Sequence, residues 1–394
     1  MSNARILFVD DEPRILDGLR RSLRDKRREW DMSFVTSGAE ALDRLAELPH
    51  DVVISDMRMP EMDGAELLTH VSKRHPEVAR VVLSGHTEPE AAIKVAVAGH
   101  RFLNKPSDAE SVTAVIGQLT TTTSATRRAE VRRIAGGVRS LPTPPVHIER
   151  LTVLLSGAEL ELAKAIDAAA HDVGLTAKLL QLSNSAFFGA RARIASVESV
   201  VNALGLPTIQ ALVGAGQVLW GSADWEAAAE RHLAVAWRHA AATAYLVCSM
   251  ASPANRPYAQ AAALLQDVGR FACMAGQGSR TAASDATGTD CHGIPYRDVG
   301  VELLHLWGLP APIINAVAER DELHQPTPSG LGISGAVRAA HLLIQHTESR
   351  DPSDETHDDE LAALLTHPQL SIHTTDWRTA AEAASRRAER WLTS

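Results

Sequence analysis

Cysteine and aromatic residues are scarce in this 394-residue chain, which has three cysteines and 4% Phe, Trp and Tyr. The odd cysteine count and the lack of a Cys-x-x-Cys spacing argue against a disulfide framework and favour a reducing compartment. No stretch approaches the roughly 18 uncharged apolar residues of a membrane span. The N-terminus lacks the basic start and apolar middle of a signal peptide. These absences predict a soluble, cytoplasmic protein with no membrane partner.

An excess of positive charge is also missing, because the net charge is −9. Nucleic acid is therefore an unlikely partner, since a surface that neutralises a phosphate backbone needs clustered cations. The charge is uneven, with −4 over residues 1–119, +4 over 120–140 and −9 over 141–394. Residues 120–138 open with a Thr/Ser run and become helix-friendly, which predicts a linker or signalling helix.

The N-terminal third alternates short β-branched runs with amphipathic stretches. This alternation is typical of βαβ units and predicts a parallel sheet with helices on both faces. The predicted strands are Arg5–Val9, Met32–Val35, Val52–Ser55, Arg80–Ser84 and Arg101–Leu103, with helices near 13–26, 37–46, 64–75, 88–98 and 109–119. After residue 140, Ala- and Leu-rich helical periods follow one another, which predicts an all-α half.

Polar side chains follow four of the predicted strands. Asp10 and Asp11 follow the first, Asp56 the third, Ser84 ends the fourth and Lys105 follows the fifth. Loops at the carboxyl ends of parallel strands meet at one edge of the sheet. Clustered carboxylates there need a hard cation such as Mg²⁺, and the lysine can bind a phosphoryl oxygen. The chemistry indicated is attack by a carboxylate on phosphorus, giving an aspartyl phosphate.

Four motifs in order give these residues a family resemblance: Val9–Pro13 (VDDEP), Ser55–Gly64 (SDMRMPEMDG), Leu83–Gly85 (LSG) and Phe102–Pro106 (FLNKP). The chain resembles the receiver domain of two-component response regulators over residues 4–119. The resemblance implies a flavodoxin-like fold with a five-stranded sheet of order 2-1-3-4-5, and phosphorylation by a sensor histidine kinase.

The resemblance also assigns roles to individual residues. Asp56 is the implied phosphoacceptor, and Ser84 and Lys105 bind the phosphoryl group. Asp10, Asp11 and Asp56, with the backbone carbonyl of Arg58, are the implied Mg²⁺ ligands. Phe102 matches an aromatic switch that turns inward, and the positions of Arg58 and His86 tune dephosphorylation.

Simpler interpretations exist for several of these features. An Asp-Asp pair after a strand is often a helix cap. The basic run from Arg20 to Arg28 is interrupted by acidic residues, which favours a solvated helix face over a nucleic-acid surface.

Residues 139–345 resemble the HDOD domain, a degenerate relative of the HD metal-dependent phosphohydrolases. The resemblance is carried by fragments spread over about 200 residues, which include Leu141–Pro144, Asp172–Leu180, Ser183–Gly189, Ser196–Gly205, Trp237–His239, Ala263–Gly269 and Leu303–Pro310. An HD hydrolase needs an adjacent His-Asp pair with further His and Asp ligands, and a catalytic metal needs an open position for water.

Most of those ligands are replaced in this chain. Gln266 stands where the histidine of the pair is expected, and Glu319-Arg320 replaces a later histidine pair. Only His239 and Asp267 remain, so no metal is expected in this domain. We predict His239 as a hydrogen-bonded helix residue and Asp267 as a network or capping acid. His341 and His346 are five residues apart, which places them off a common helix face.

The last segment, 346–394, begins with an acidic loop of six carboxylates at 350–360 and continues with helical patterns. Trp377, Ala381, Ala384 and Trp391 share one of these patterns. Whether that helix docks on its own domain or forms an oligomer contact is open, and a homodimer stays an alternative.

The favoured function is a response regulator whose output domain is not an enzyme and acts on an unknown downstream protein. The main alternative is a receiver-controlled metal-dependent phosphodiesterase acting on a cyclic dinucleotide. A DNA-binding regulator ranks last, because no basic helix-turn-helix is evident.

Overall fold

The computed structural model describes residues 3–85, 99–105, 107–120, 125–156, 161–184, 193–215, 227–276, 290–291, 293–320, 331–348 and 374–393. The N-terminal domain is a five-stranded parallel sheet of order β2-β1-β3-β4-β5. This is the flavodoxin-like order predicted from the sequence. Its strands are β1 (Ala4–Val9), β2 (Trp30–Val35), β3 (Val52–Asp56), β4 (Ala79–Ser84) and β5 (Arg101–Asn104).

Four described helices flank this sheet: α1 (Pro13–Ser22), α2 (Gly38–Glu47), α3 (Gly64–Arg74) and α4 (Ala109–Thr120). The helix predicted near 88–98 lies outside the described residues. Helix α1 is shorter than predicted: it ends at Ser22, and a 3₁₀ helix covers Arg24–Arg28. Leu23 between them is buried, which fixes the break, while most of the basic side chains around it are exposed.

Strand burial explains the position of the site. Strands β3 and β4 are buried along their whole length, as expected for central strands covered by helices on both faces. The parallel register of β1 and β3 pairs Ile6 with Val52 and Val9 with Ser55. Asp10 and Asp56, each one residue further along, therefore lie at the same edge of the sheet.

Among the described residues after 120, almost all the regular structure is helical. Helix α5 (Ala125–Gly137) lies in the segment predicted as a linker or signalling helix. The C-terminal domain contains α6 (Pro145–Ser156), α7 (Leu162–Ala169), α8 (Val173–Ser183), α9 (Val197–Leu204), α10 (Leu206–Gly214), α11 (Ala227–Met250), α12 (Arg256–Leu265), α13 (Val268–Gly276), α14 (Tyr296–Trp307), α15 (Ala311–Ala318), α16 (Gly332–Glu348) and α17 (Thr374–Thr393). One small antiparallel pair, β6 (Asp290–Cys291) with β7 (Ile294–Pro295), was not predicted.

The last helix, α17, docks on its own domain. It packs against α11 and α16. Trp391 is buried and its Nε1 donates to the carbonyl of Ala168 at 3.3 Å, and Arg387 pairs with Asp167 at 3.1 Å. Of the two alternatives left open for this helix, the structure therefore shows docking.

The two domains contact each other directly. Helix α5 packs against α14 of the C-terminal domain and against α3 of the N-terminal domain. Among the described helices, none alone has the length and hydropathy of a membrane span. The pair α9 and α10 passes that test only when joined across its 108° bend, and by length and composition alone.

Candidate functional site

The carboxyl ends of β1 and β3 gather three carboxylates. Each of Asp10, Asp11 and Asp56 offers an oxygen within 4.8 Å of the others. Asp10 is buried and its Oδ1 accepts from the backbone N–H of Glu12 at 3.0 Å. The helix-cap interpretation does not hold for α1, whose N-cap is Glu12 and which has no side-chain cap hydrogen bond. The two oxygens of Asp10 instead serve this local turn and Lys105.

Lys105 neutralises part of this cluster. Its Nζ lies 2.7 Å from Oδ2 of Asp10 and 2.8 Å from Oδ1 of Asp56. Burial alone would lower the pKa of Lys105, but the hydrogen bonds to Asp10 and Asp56 outweigh it and raise the pKa. The lysine is therefore fully charged at neutral pH and forms the positive wall of the pocket.

Backbone contacts fix the floor of the pocket. Ser84 is buried, and its carbonyl accepts from the backbone N–H of Lys105 at 3.0 Å. Gly64 begins α3 so close to β3 that a Cβ at this position would lie 2.0 Å from the carbonyl oxygen of Asp56. A glycine is required there by this close approach.

Three further receiver residues were predicted, Arg58, His86 and Phe102, and the structure describes two of them. Arg58 has an exposed side chain just beyond β3, and the Mg²⁺-ligand role of its carbonyl stays a prediction. His86 lies outside the described residues. Phe102 is already buried, 1% exposed, and a Cβ at Gly99 would come within 2.8 Å of its ring. The structure therefore shows no exposed Phe102 side chain from which the predicted inward turn could begin.

The two residual HD positions lie in one polar cluster of the helical domain. Nδ1 of His239 is 2.9 Å from Oε2 of Glu348, and its Nε2 is 2.9 Å from Nδ1 of His341. Asp267 forms an ion pair with Arg320. Both nitrogens of His239 are therefore engaged by side chains, and the carboxylate of Asp267 already has a cation beside it.

Charges within this cluster shift two pKa values. Burial alone would raise the pKa of Asp267, but the guanidinium of Arg320, followed by His341 and His239, lowers it to about 2. Burial, and then the neighbouring His239, hold the pKa of His341 well below its ordinary value. At neutral pH the cluster contains an ionised Asp267 and an uncharged His341.

Two members of this cluster, His341 and Glu348, were not predicted from the sequence. His346 is off the helix face of His341, whereas His341 and Glu348 are seven residues apart on α16. Seven residues are about two turns of helix, so these two side chains share a face. The spacing of seven residues could therefore have predicted this pair from the sequence.

An acidic pocket at the carboxyl edge of a 2-1-3-4-5 parallel sheet, opposed by a lysine, defines a receiver-type α/β domain, here joined to a mostly helical domain. Comparison with known families agrees. The chain matches the response regulator receiver domain over residues 6–117 and the HDOD domain over residues 141–323. The chain is therefore a receiver domain followed by an HDOD domain.

Similar curated proteins match the receiver portion. The hydrogenase transcriptional regulatory protein HoxA of Cupriavidus necator is 41% identical over 105 residues, which are 26% of this chain and 21% of HoxA. The DNA-binding transcriptional regulator NtrC of Escherichia coli is 32% identical over 117 residues, 29% of this chain and 24% of NtrC. The matched segment thus spans less than a quarter of either relative.

Among solved structures, the signal receiver domain of an HD domain-containing protein from Pseudomonas fluorescens is 29% identical. The match covers 30% of this chain and 88% of that domain, with a TM-score of 0.29.

Proposed function

We propose that this chain is a phosphorelay response regulator that a sensor histidine kinase phosphorylates on Asp56. The observation that carries the proposal is the pocket itself, in which Asp56 lies beside Asp10 and Asp11 and faces Lys105. A carboxylate oxygen of Asp56 attacks the phosphorus of a phosphohistidine. The P–N bond breaks and its electron pair leaves with the imidazole nitrogen, which takes a proton.

The residues around Asp56 support this transfer in different ways. Lys105 is charged and within reach of an oxygen on Asp56, so it can bind a phosphoryl oxygen as charge builds there. The hydroxyl of Ser84, the last residue of the neighbouring strand β4, would donate to the same group. The buried strands β3 and β4 fix the backbone from which Asp56 and Ser84 extend, which limits the reorganisation needed at these two residues during transfer.

The donor set of the pocket fits Mg²⁺. Three carboxylates within 4.8 Å of one another are hard oxygen ligands, and Mg²⁺ prefers such ligands together with water or phosphate oxygens. Asp10, Asp11 and Asp56 would hold the ion, with the carbonyl of Arg58 as the predicted fourth protein ligand. When bound, the ion supplies the positive charge that lets a phosphoryl group lie among carboxylates.

For the HDOD domain we propose an output through protein–protein contact, without catalysis and without a metal. The support is the cluster around Asp267, where Arg320 provides the positive charge that a metal provides in an HD hydrolase. His239 cannot offer a free nitrogen without giving up Glu348 or His341. The phosphodiesterase alternative needs both of these arrangements to be undone. DNA binding, named for NtrC, is supported by no feature of the helical domain among its described residues.

The cellular setting belongs to the same proposal. We infer a cytoplasmic protein whose partners are the kinase and a downstream protein that binds the helical domain.

The phosphoacceptor is tested with a small phosphodonor such as phosphoramidate, with Mg²⁺, on phosphate-affinity gels. The full chain is compared with Asp56→Asn and with Asp43→Asn, a control on the exposed surface of α2. We expect labelling of the full chain and the control, and none of Asp56→Asn. Chelation of Mg²⁺ should suppress labelling. Equal labelling of Asp56→Asn refutes Asp56 as the acceptor.

The output domain is tested separately. The full chain is incubated with cyclic dinucleotides and Mn²⁺ or Fe²⁺, with and without phosphodonor, and the products are followed by chromatography. We expect no turnover. Turnover that disappears in Asp267→Asn would establish the phosphodiesterase instead.

A further inference from the structure

Arg101 reaches from the receiver domain into the HDOD domain. It opens β5 and is 7% exposed. Its Nε donates to the carbonyl of Leu306 at 2.9 Å and its Nη2 to the carbonyl of His305 at 2.5 Å, while Nη1 donates to Gln118 at 3.2 Å. His305 and Leu306 lie in the last turn of α14. A receiver side chain therefore occupies the C-terminus of an HDOD helix.

This helix end is suited to a guanidinium. The last carbonyls of a helix have no partner within the helix and form the negative end of its dipole. Gly308 ends α14 with a φ of 77°, and a Cβ there would lie 2.3 Å from Nη1 of Arg101. Burial lowers the pKa of Arg101, but a guanidinium stays protonated at neutral pH. The contact is therefore charge-assisted and depends on a glycine.

The HDOD domain holds the same receiver segment from a second side. Gln181 of α8 is buried, and its Nε2 donates to the carbonyls of Gly99 at 3.1 Å and His100 at 3.2 Å. The HDOD domain therefore contacts residues 99–101 with two helices, α8 and α14. Residues 99 and 100 directly precede β5, and Arg101 is its first residue.

Strand β5 connects this contact to the phosphoacceptor pocket. Lys105 follows the strand directly, four residues after Arg101, which is about 13 Å of extended chain. The backbone N–H of Lys105 is bonded to Ser84, and its Nζ is paired with Asp10 and Asp56. A group that draws Lys105 to a new position therefore acts on the same short strand that positions Arg101.

We propose that Arg101 is an interdomain latch, inserted into the end of α14 while Lys105 is paired with Asp10 and Asp56, and withdrawn when a phosphoryl group takes Lys105. The insertion is a property of the chain by itself. The withdrawal rests on the proposed phosphorylation of Asp56. Coupling between two sites is reciprocal. If a phosphoryl mimic weakens the contact of Arg101 with α14 by some factor, a variant that lacks this contact binds the mimic more tightly by the same factor.

The latch is tested by hydrogen exchange of backbone amides in the full chain without phosphodonor. Arg101→Ala is compared with Arg101→Lys and with Arg44→Ala, which removes an exposed surface ion pair on α2. We expect exchange in the last turn of α14 to be at least about a hundredfold faster in Arg101→Ala, for two lost charge-assisted hydrogen bonds. Arg101→Lys should fall between, and Arg44→Ala should match the unaltered chain.

Unchanged exchange of β3 and β4 in Arg101→Ala shows that the receiver is still folded. With that condition met, equal exchange at the end of α14 in Arg101→Ala and the unaltered chain overturns the latch. If β3 and β4 are themselves disturbed, Arg101→Lys carries the same comparison.

The withdrawal is tested by adding beryllofluoride with Mg²⁺ to the unaltered chain and to Asp56→Asn. We expect faster exchange at the end of α14 in the unaltered chain and no change in Asp56→Asn. Slow exchange at α14 in a chain whose pocket amides are protected by the mimic overturns the withdrawal. A failure of Asp56 labelling leaves the Arg101→Ala result standing, so the two proposals fail separately.

Discussion

Lys178 gives the helical domain a pH dependence that the structure allows us to work out. The side chain is 1% exposed, and its Nζ donates to the carbonyl of Arg139 at 2.6 Å and to Oε1 of Gln181 at 2.9 Å. Burial, and then the positive charges of Arg80 and Arg139, lower its pKa from 10.5 to about 7. A neutral amine still has two N–H donors, so the hydrogen bonds to Arg139 and Gln181 both persist in the uncharged form.

The direction of the pH dependence of stability follows from the lowered pKa of Lys178. Between pH 7 and 10.5 the unfolded chain holds a proton on Lys178 that the folded chain does not. The free energy of unfolding therefore rises with pH in this window, by about 1.4 kcal/mol per pH unit and about 5 kcal/mol in all. Below the window both states are protonated, and the folded state carries the full cost of a buried charge.

The assay is urea unfolding of the full chain and of Lys178→Met at several pH values. Every other titrating group is shared, so the difference in unfolding free energy between the two proteins isolates Lys178. We expect this difference to rise with pH at about 1.4 kcal/mol per unit above pH ~7. Lys164→Met is the matched control, because Lys164 has a 69% exposed side chain, and its difference should be flat. A flat difference for Lys178→Met refutes the reasoning.

Three further outcomes are expected. Gly64→Ala should abolish phosphodonor labelling, because its Cβ would lie 2.0 Å from the backbone carbonyl oxygen of Asp56, the proposed phosphoacceptor. Gly18→Ala, with nothing within 4 Å of its Cβ, should label normally, and labelling of both variants contradicts this. Arg320→Met should lower stability by about 3 kcal/mol, since it leaves the carboxylate of Asp267 without its cation; an unchanged urea midpoint would disprove the role of the pair. Trp391→Ala should cost about 3–5 kcal/mol by removing a buried indole, measured in the same unfolding assay, and no loss would mean that α17 does not contribute to the fold.

The receiver half was predictable because its chemistry is local in sequence. Each pocket residue directly follows a short buried apolar run, so Asp10, Asp56 and Lys105 are positioned as soon as the strand order is known. The burial of Phe102 was not predictable in this way. It depends on the close approach of Gly99 to the ring of Phe102, which no pattern around Phe102 specifies.

The helical half was predictable as a fold and less so as a set of contacts. The replacement of the HD metal ligands was predicted from the sequence, because Gln266 and Arg320 occupy positions where histidines are expected. That Arg320 pairs with Asp267, 53 residues away, required the packing of α15 near the end of α12. The contact of Arg101 with α14 spans 204 and 205 residues, and an arginine that opens a strand carries no mark of such a partner.

The chemistry of the domain seam bears on how a receiver can control a helical output. Several cations at this seam end on helix C-terminal carbonyls: Arg101 on α14, Arg80 on Gly136 at the end of α5, and Arg132 on Leu119 near the end of α4. A hydrogen bond weakens steeply once its distance and angle leave a narrow range, whereas apolar burial changes gradually with displacement. An interface that depends on such hydrogen bonds therefore loses a whole contact after a small shift of β5. The arginine side chain that is released is then hydrated by water. A shift of the short strand that leads out of the acidic pocket is therefore sufficient for the proposed withdrawal of Arg101 from α14.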